Sequence, residues 1–190
     1  MRNKILIGET ASGKSTYGKK IAKIEGKTFY DLDIETEKEI LKKGYGETIN
    51  EAYKKLTKEE ISMMFEKTFE KLIEEENVVI ATGGYFGTYY NFEKIKEKAD
   101  IIYLKPSKEL WLNIIKELQT KLHLKENQNR RILFEKDKEK VEAQYDKREK
   151  LYKEKATKFI KYNSFDELNN TIKKKPKKQK TKKESLKIIN

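Results

Sequence analysis

A glycine-rich stretch near the start of the chain carries the residue types that bind nucleotide phosphates. Residues 8–16 have the sequence GETASGKST, which fills the phosphate-loop pattern G-x-x-x-x-G-K-[ST] at every required position. In such a loop the glycines let backbone N–H groups surround the β- and γ-phosphates, and the following helix adds the positive end of its dipole. The lysine supplies a cation, and the hydroxyl after it is a ligand for Mg²⁺. The stretch therefore predicts an ATP or GTP site that uses Mg²⁺, with nucleotide-binding residues Gly8, Ala11, Ser12, Gly13, Lys14, Ser15 and Thr16.

The elements on either side of this loop have the order that a phosphate loop requires. Residues 4–7 are an apolar run typical of a buried strand, and residues 16–25 place Ile21 and Ile24 on one face of a helix. Further strands are predicted at residues 27–31, 78–81, 100–104 and 158–162, with amphipathic helices between them. The chain is therefore predicted to form an α/β domain with the phosphate loop at the end of its first strand.

Two carboxylates, Asp31 and Asp33, follow the second predicted strand. Side chains at the carboxyl end of a strand face the crevice in which open α/β sheets bind ligands. One carboxylate there can hold Mg²⁺ or its water shell, and the other can accept a hydrogen bond from a substrate hydroxyl. Asp33 also precedes a helical pattern, so capping of that helix is the alternative role for it.

A glycine pair, Gly83-Gly84, follows the third predicted strand directly. Glycines at this place permit close approach of a ligand to the backbone, and their N–H groups can bind substrate oxygens. A simple tight turn is the alternative.

Arginine is scarce in this lysine-rich chain, which makes its positions informative. Only four of the 44 basic residues are arginines, and the planar guanidinium suits phosphate and carboxylate groups. Arg130 and Arg131 lie in the polar stretch 119–136, which we expect to be a lid that closes on the nucleotide and excludes water. Arg148 lies in an apolar stripe of a later helix, where it either forms a buried structural ion pair or binds an anion in the crevice.

The composition excludes several kinds of site and protein. The chain has no cysteine, so disulfides and thiolate metal sites are excluded. Its apolar runs are short, and we therefore expect no membrane span, no signal peptide and a cytoplasmic location. Of the net charge of +12, residues 171–190 contribute +8, and we expect this lysine-rich tail to be disordered. Such a tail can attract nucleic acid, although a solvated tail is the simpler interpretation.

Taken in order, these motifs make the first 170 or so residues resemble the shikimate kinase family of phosphate-loop small-molecule kinases. The matching segments are the phosphate loop, Asp31-Leu32-Asp33, the TINEAY sequence at 48–53, Ala81-Thr82-Gly83-Gly84, Arg130-Arg131-Ile132-Leu133 and Arg148-Glu149-Lys150-Leu151-Tyr152. The resemblance implies a three-layer phosphate-loop kinase fold, with five parallel strands in the order 2-3-1-4-5 flanked by helices. It also implies a substrate-binding helical region between Asp33 and Asn77, and a lid at about residues 119–136.

On the nucleotide side, the resemblance implies that Lys14 and Ser15 serve ATP and Mg²⁺ and that Asp31 holds the metal's water shell. Arg130 would bridge the phosphate and the substrate. These residues would make the protein an ATP- and Mg²⁺-dependent phosphotransferase with an alcohol group as acceptor.

On the acceptor side, the resemblance implies that Asp33 accepts substrate hydroxyls and orients or deprotonates the attacking one. Lys14, Asp33 and Arg130 would then be the catalytic residues. Gly83 and Gly84 would contact the substrate, and Arg148 would hold a substrate carboxylate.

Several acceptor-side positions depart from the family pattern. The family's Phe-Arg pair, whose arginine grips the shikimate carboxylate, corresponds to Ile61-Ser62 here, and the acidic residue that follows corresponds to Phe65. The third glycine of the turn is Tyr85, and the Arg-Pro of the lid is Arg130-Arg131. We therefore expect the reaction type to carry over better than the substrate.

Three kinds of acceptor follow from these observations. Shikimate is the leading candidate for the acceptor. We expect the protein to be a monomer that acts on a small molecule. The first alternative is another hydroxylated metabolite or a nucleotide, because Tyr85 and Phe65 would form an aromatic wall suited to a flatter acceptor. The second is a nucleic-acid end, for which the lysine-rich tail would be the electrostatic anchor.

Overall fold

The computed structural model describes residues 2–123 and 138–173. These residues form alternating strands and helices, with one short 3₁₀ turn at Glu93–Ile95. In chain order the elements are β1 (Asn3–Ile7), α1 (Lys14–Glu25), β2 (Thr28–Asp31), α2 (Leu32–Lys42), α3 (Ile49–Lys55), α4 (Lys58–Ile73), β3 (Val78–Ala81), α5 (Phe86–Tyr89), β4 (Ala99–Pro106), α6 (Lys108–His123), α7 (Lys138–Lys155), β5 (Lys158–Tyr162) and α8 (Phe165–Lys173).

The five strands form one parallel sheet in the order β2-β3-β1-β4-β5, as predicted. The central strand β1 pairs with β3 on one side and β4 on the other, so that Ile5 lies opposite both Ile80 and Ile101. Because all strands run in the same direction, the loops after β1, β2 and β3 leave from the same edge of the sheet. The phosphate loop, the Asp31 and Asp33 carboxylates and the Gly83-Gly84 pair are therefore brought together at that edge.

Alternate residues of each central strand enter two separate cores, which makes the fold three-layered. Ile5 and Ile7 pack with Phe69 of α4 and Tyr152 of α7 on one face of the sheet. Leu6 packs on the other face with residues of α1 and α8. Since parallel strands buried on both faces need apolar residues at every position, the continuous run at residues 5–7 is explained.

The helical region between β2 and β3 has its own small core, in which Ile40, Ala52, Leu56 and Met64 of the region α2–α4 are buried. Helix α4 begins with a capping box, in which the Thr57 side chain accepts from the Glu60 N–H and the Glu60 carboxylate accepts from the Thr57 N–H. One side of α4 packs on the sheet through Phe69 and Leu72, and residues of its first turns line a cavity together with Asp33.

Two boundaries differ from the sequence-based expectation. Strand β4 continues through Lys105 to Pro106, which lies opposite Tyr162 of β5. Pairing of β4 with β1 ends at Tyr103, so Pro106 lies at an edge of the sheet, where a missing N–H is tolerated. Helix α2 begins at Leu32, so Asp31 is its N-cap residue and Asp33 lies within the first turn. The alternative role of Asp33 as an N-cap is therefore wrong, since no connecting residues separate β2 from α2.

Some predicted features lie outside the described residues. Helix α6 continues through residues 119–123, the first part of the expected lid, but residues 124–137, with Arg130 and Arg131, are not described. Helix α8 ends at Lys173, and the rest of the lysine-rich tail, 174–190, is likewise outside. Among the helices of the described part, none is long and apolar enough to cross a membrane.

Candidate active site at the edge of the sheet

The phosphate loop connects β1 to α1, with Gly13 as the N-cap of the helix. The Lys14 side chain lies beneath the loop, 7% exposed, and its ammonium group donates to the carbonyls of Gly8 at 2.9 Å and Glu9 at 2.6 Å. The Ser12 hydroxyl is a more distant partner at 3.4 Å. These bonds hold the loop closed around the cation.

Burial changes the acid–base behaviour of Lys14. Loss of water around the ammonium group lowers the pKa of Lys14 to about 8, although the carboxylates of Asp33, Glu9 and Asp31 act in the opposite direction. Because Asp33 is the strongest of these opposing charges, the expected phosphate-binding lysine and the expected acceptor-binding carboxylate share one electrostatic environment.

Ser15 and Asp31 lie side by side, and the Ser15 hydroxyl donates to Asp31 Oδ2 at 2.6 Å. Both residues line the cavity beside the phosphate loop. Within residues 2–123 and 138–173 there is no group of three or more His, Cys, Asp or Glu residues that could hold a metal by itself. One hydroxyl and one carboxylate fit Mg²⁺, which is usually held by one or two protein oxygens together with water and substrate phosphates.

The backbone at Gly83 and Gly84 passes between the acidic pair and the phosphate loop. A Cβ at position 83 would lie 2.4 Å from Asp33 Oδ1, and one at position 84 would lie 2.6 Å from Thr10 Oγ1 and 2.9 Å from the Thr10 nitrogen. Side chains at either position would therefore displace a neighbouring group. The glycines allow the three loops to approach one another this closely.

Two adjoining cavities open at this edge, and they share Asp33, Gly83 and Gly84. The first, of about 600 Å³, lies beside the phosphate loop, and its lining includes Lys14, Ser15 and Asp31. The second, of about 810 Å³, extends along α4 and α5. Its walls are largely apolar and aromatic, with Ile61, Ser62 and Phe65 on one side and Tyr85, Phe86 and Tyr89 on the other.

Arg148 lines neither cavity in the described structure. Its guanidinium Nη1 donates to Glu9 Oε2 at 3.2 Å, and the Glu9 side chain is only 1% exposed. Burial raises the pKa of Glu9, and Arg148 acts against that rise. The structure thus contains the structural ion pair that was one of the two alternatives for Arg148.

Three aromatic residues for which no role in the site was predicted hold its loops. Tyr152 of α7 is fully buried, and its hydroxyl donates to the Gly84 carbonyl. Trp111 Nε1 donates to the Thr10 carbonyl at 3.0 Å, and the Tyr162 hydroxyl donates to the Ser12 carbonyl at 2.5 Å. The sequence feature that could have identified them is a tyrosine or tryptophan at a core position, because its hydroxyl or indole N–H needs a hydrogen-bond partner when it is buried.

The chain is similar in sequence to known proteins over most of its length. The family model described as shikimate kinase matches residues 10–179. The shikimate kinase of Clostridium botulinum strain Loch Maree is 34% identical over 169 residues, which cover 88% of this chain and 91% of that protein. The shikimate kinase of Persephonella marina is 29% identical over 153 residues, which cover 80% and 84% of the two chains.

Solved structures agree with the fold. The shikimate kinase from Acinetobacter baumannii in complex with shikimate superposes with a TM-score of 0.68 at 26% identity, covering 91% of this chain and 90% of that one. The shikimate kinase from Bacteroides thetaiotaomicron gives a TM-score of 0.66 at 20% identity, covering 90% and 94%, and supports the fold alone.

The lowered pKa of Lys14 predicts that nucleotide binding takes up a proton. Burial lowers the pKa of Lys14 to about 8, so we expect a neutral Lys14 in part of the free protein at pH 8–9, whereas bound phosphates favour the charged form. Calorimetric titration with ADP at pH 8–9, in buffers of different ionisation enthalpy, should therefore show proton uptake and an affinity that falls as pH rises. The terminal phosphate of ADP titrates well below this range, at about pH 6–7. Heats that do not depend on the buffer would contradict the prediction, and Lys14→Gln is the control that should abolish the uptake.

Proposed function

This chain belongs to the shikimate kinase family, phosphotransferases that act on an alcohol group, and from that premise we propose that it transfers the γ-phosphoryl group of ATP to a hydroxyl of shikimate. The observation that carries the proposal is the sharing of Asp33, Gly83 and Gly84 by two cavities, one beside the phosphate loop and one beside α4. A donor phosphate and an acceptor hydroxyl can meet there without either molecule leaving its own cavity.

On the donor side, the backbone N–H groups of the phosphate loop and the Lys14 ammonium group bind the β- and γ-phosphates. To do so, Lys14 exchanges its bonds to the Gly8 and Glu9 carbonyls for phosphate oxygens. Ser15 and Asp31 would hold Mg²⁺, directly or through water, and when bound there it would supply positive charge beside the transferring group. Arg130 is proposed to bridge the phosphate and the acceptor.

On the acceptor side, Asp33 accepts the hydrogen bond of the attacking hydroxyl and takes its proton as the reaction proceeds. The hydroxyl oxygen forms a bond to the γ-phosphorus, the bond from that phosphorus to the bridging oxygen breaks, and ADP leaves with the electron pair. Gly83 and Gly84 contact the acceptor through their backbone, and Arg148 is proposed to bind the acceptor's carboxylate.

A second acceptor class is favoured by the aromatic wall of the second cavity. The rings of Tyr85 and Tyr89 lie 5.1 Å apart at an angle of 47°, and Phe65 lines the same cavity. Aromatic faces of this kind suit a flat, unsaturated acceptor. A hydroxylated metabolite other than shikimate is therefore the alternative to include in any assay.

The direct test is coupled ADP release with Mg²⁺-ATP and shikimate, beside a panel of sugars, nucleosides and 5′-hydroxyl oligonucleotides. We expect turnover with shikimate at roughly 1–100 s⁻¹, as is usual for kinases. Asp33→Asn should lower kcat by about a hundredfold or more, because the amide cannot take the proton. Shikimate-independent ADP release alone, or turnover only with another member of the panel, would contradict shikimate as the acceptor.

The hydrogen bond from Tyr152 predicts that this residue aligns the Gly83-Gly84 turn with the phosphate loop. Tyr152→Phe removes only the hydroxyl that holds the Gly84 carbonyl, and a small displacement of this turn should lower kcat with the acceptor by about tenfold or more. Tyr145→Phe is a matched control on the same helix, because its hydroxyl donates to the Pro106 carbonyl at 2.8 Å, away from the cavities. If Tyr152→Phe and Tyr145→Phe have similar melting temperatures and lose activity equally, a positioning role for Tyr152 is contradicted.

The two roles of Arg148 can be separated through Glu9. Arg148→Gln alone leaves a buried, unpaired carboxylate and should cost about 3 kcal/mol of stability in urea unfolding. Adding Glu9→Gln removes that charge, so the double variant should recover most of the loss. If Arg148 binds the acceptor carboxylate, the double variant should have an acceptor KM about tenfold or more above that of Glu9→Gln. The same KM in both variants would make Arg148 structural.

A further inference from the structure

The acceptor cavity beside α4 contains a cation for which the proposed function has no role. Lys58, the first residue of α4, lines this cavity together with the carboxylates of Asp33 and Glu59. The other charged residues that line it are both acidic, so Lys58 is the cavity's cation among the residues that the structure describes. An acceptor that carries an anion has to be neutralised somewhere in this cavity, because an unpaired charge in a partly apolar site is costly.

The other described cations near the site are already engaged. Lys14 is buried beneath the phosphate loop, where it is bonded to two loop carbonyls. Arg148 is paired with Glu9 and lines neither cavity. Lys58, in contrast, is exposed, and no ion pair or hydrogen bond of its ammonium group is formed with any residue of 2–123 or 138–173. Its long side chain can therefore move to an anion without breaking an existing bond.

The position of Lys58 on the helix points its side chain along the wall of the cavity. Ile61, Ser62 and Phe65 follow it by three, four and seven residues, the spacing of neighbours on one helix face, and all three line the same cavity. Asp33 lies in the part of the cavity that is shared with the phosphate loop. An acceptor would thus present its attacking hydroxyl to Asp33 while its ring lies between the α4 face and the aromatic side chains of Tyr85 and Tyr89.

We propose that Lys58 binds the anionic group of the acceptor, as a cation additional to Arg148, and makes the cavity selective for hydroxylated carboxylates over neutral hydroxyl compounds. The inference rests on the proposed function, because it assumes that this cavity holds the acceptor. Ser62, the polar residue one turn further along the face, carries no charge and cannot provide this selectivity. Lys58 is therefore a specificity-determining residue of the acceptor cavity, with no part in the transfer step itself.

The test compares three variants in steady-state assays with saturating Mg²⁺-ATP. Lys58→Gln should raise the KM for shikimate by about tenfold or more while leaving kcat nearly unchanged, since the lost interaction is uniform binding. Lys58→Arg should restore most of the affinity. Lys67→Gln is the matched control, because Lys67 is an exposed lysine of the same helix that does not line the cavity.

Two further readouts separate a direct contact with the anion from a general effect on the fold. Shikimate methyl ester, which lacks the negative charge, should have the same KM with the Lys58→Gln variant as with the unaltered chain. Added salt should raise the shikimate KM of the unaltered chain more than that of Lys58→Gln, because exposed charge pairs are screened.

The outcomes of these assays separate a failure of the role of Lys58 from a failure of the proposed function. If the unaltered chain turns over shikimate but Lys58→Gln and Lys67→Gln have the same shikimate KM, the role of Lys58 is wrong and the proposed function stands. If Lys58→Gln raises the KM for shikimate and its ester equally, Lys58 does not act on the anion and the inference is again overturned. If the unaltered chain does not turn over shikimate at all, the proposed function fails, and the inference fails with it.

Discussion

The close approach of three loop backbones at one edge of the sheet is the constraint on which the site depends. Space for a side chain is absent at both Gly83 and Gly84, because the first faces the Asp33 carboxylate and the second faces Thr10 of the phosphate loop. The Asp33 carboxylate and the phosphate loop therefore both lie against the same short turn. This arrangement follows from the topology, since β1, β2 and β3 are neighbours in a parallel sheet and end at the same edge. Phosphoryl transfer needs little covalent help from a protein, and this fixed geometry supplies the main requirement.

The core beneath the site is built to hold that geometry. Tyr152 on α7 bonds to the turn at Gly84, and Tyr162 on β5 bonds to the phosphate loop at Ser12. Arg148, one helical turn before Tyr152, bonds to Glu9 of the same loop. Ala11 also has a left-handed backbone conformation, with φ of 63°, which costs a non-glycine residue about 1–2 kcal/mol. The surrounding bonds to the neighbouring carbonyls offset that strain and keep the loop in one conformation.

Much of the fold, and the phosphate loop on the nucleotide side of the site, were predictable from the sequence. The phosphate-loop pattern is specific because both its glycines and its lysine have separate physical requirements, and its strand and helix were confirmed. The topology came from the resemblance, since local patterns do not determine strand order. The partner of Arg148 could not be predicted, because Glu9 is 139 residues away in sequence and occupies a variable position of the loop pattern. Phe65 and Tyr85 line the second cavity, as expected from the departures on the acceptor side, but the contribution of Phe86 and Tyr89 of α5 could not be predicted, because these side chains and those of α4 become neighbours only through the fold.

The two cavities are proposed to carry out phosphoryl transfer from ATP to shikimate together. The most direct measurement is ³¹P NMR of the full chain with Mg²⁺-ATP, recorded with and without shikimate. We expect the γ-phosphate signal of ATP to be replaced by one phosphomonoester signal only when shikimate is present, with an equal amount of ADP formed. Appearance of inorganic phosphate in place of the monoester, or an unchanged ATP spectrum in the presence of shikimate, would contradict it.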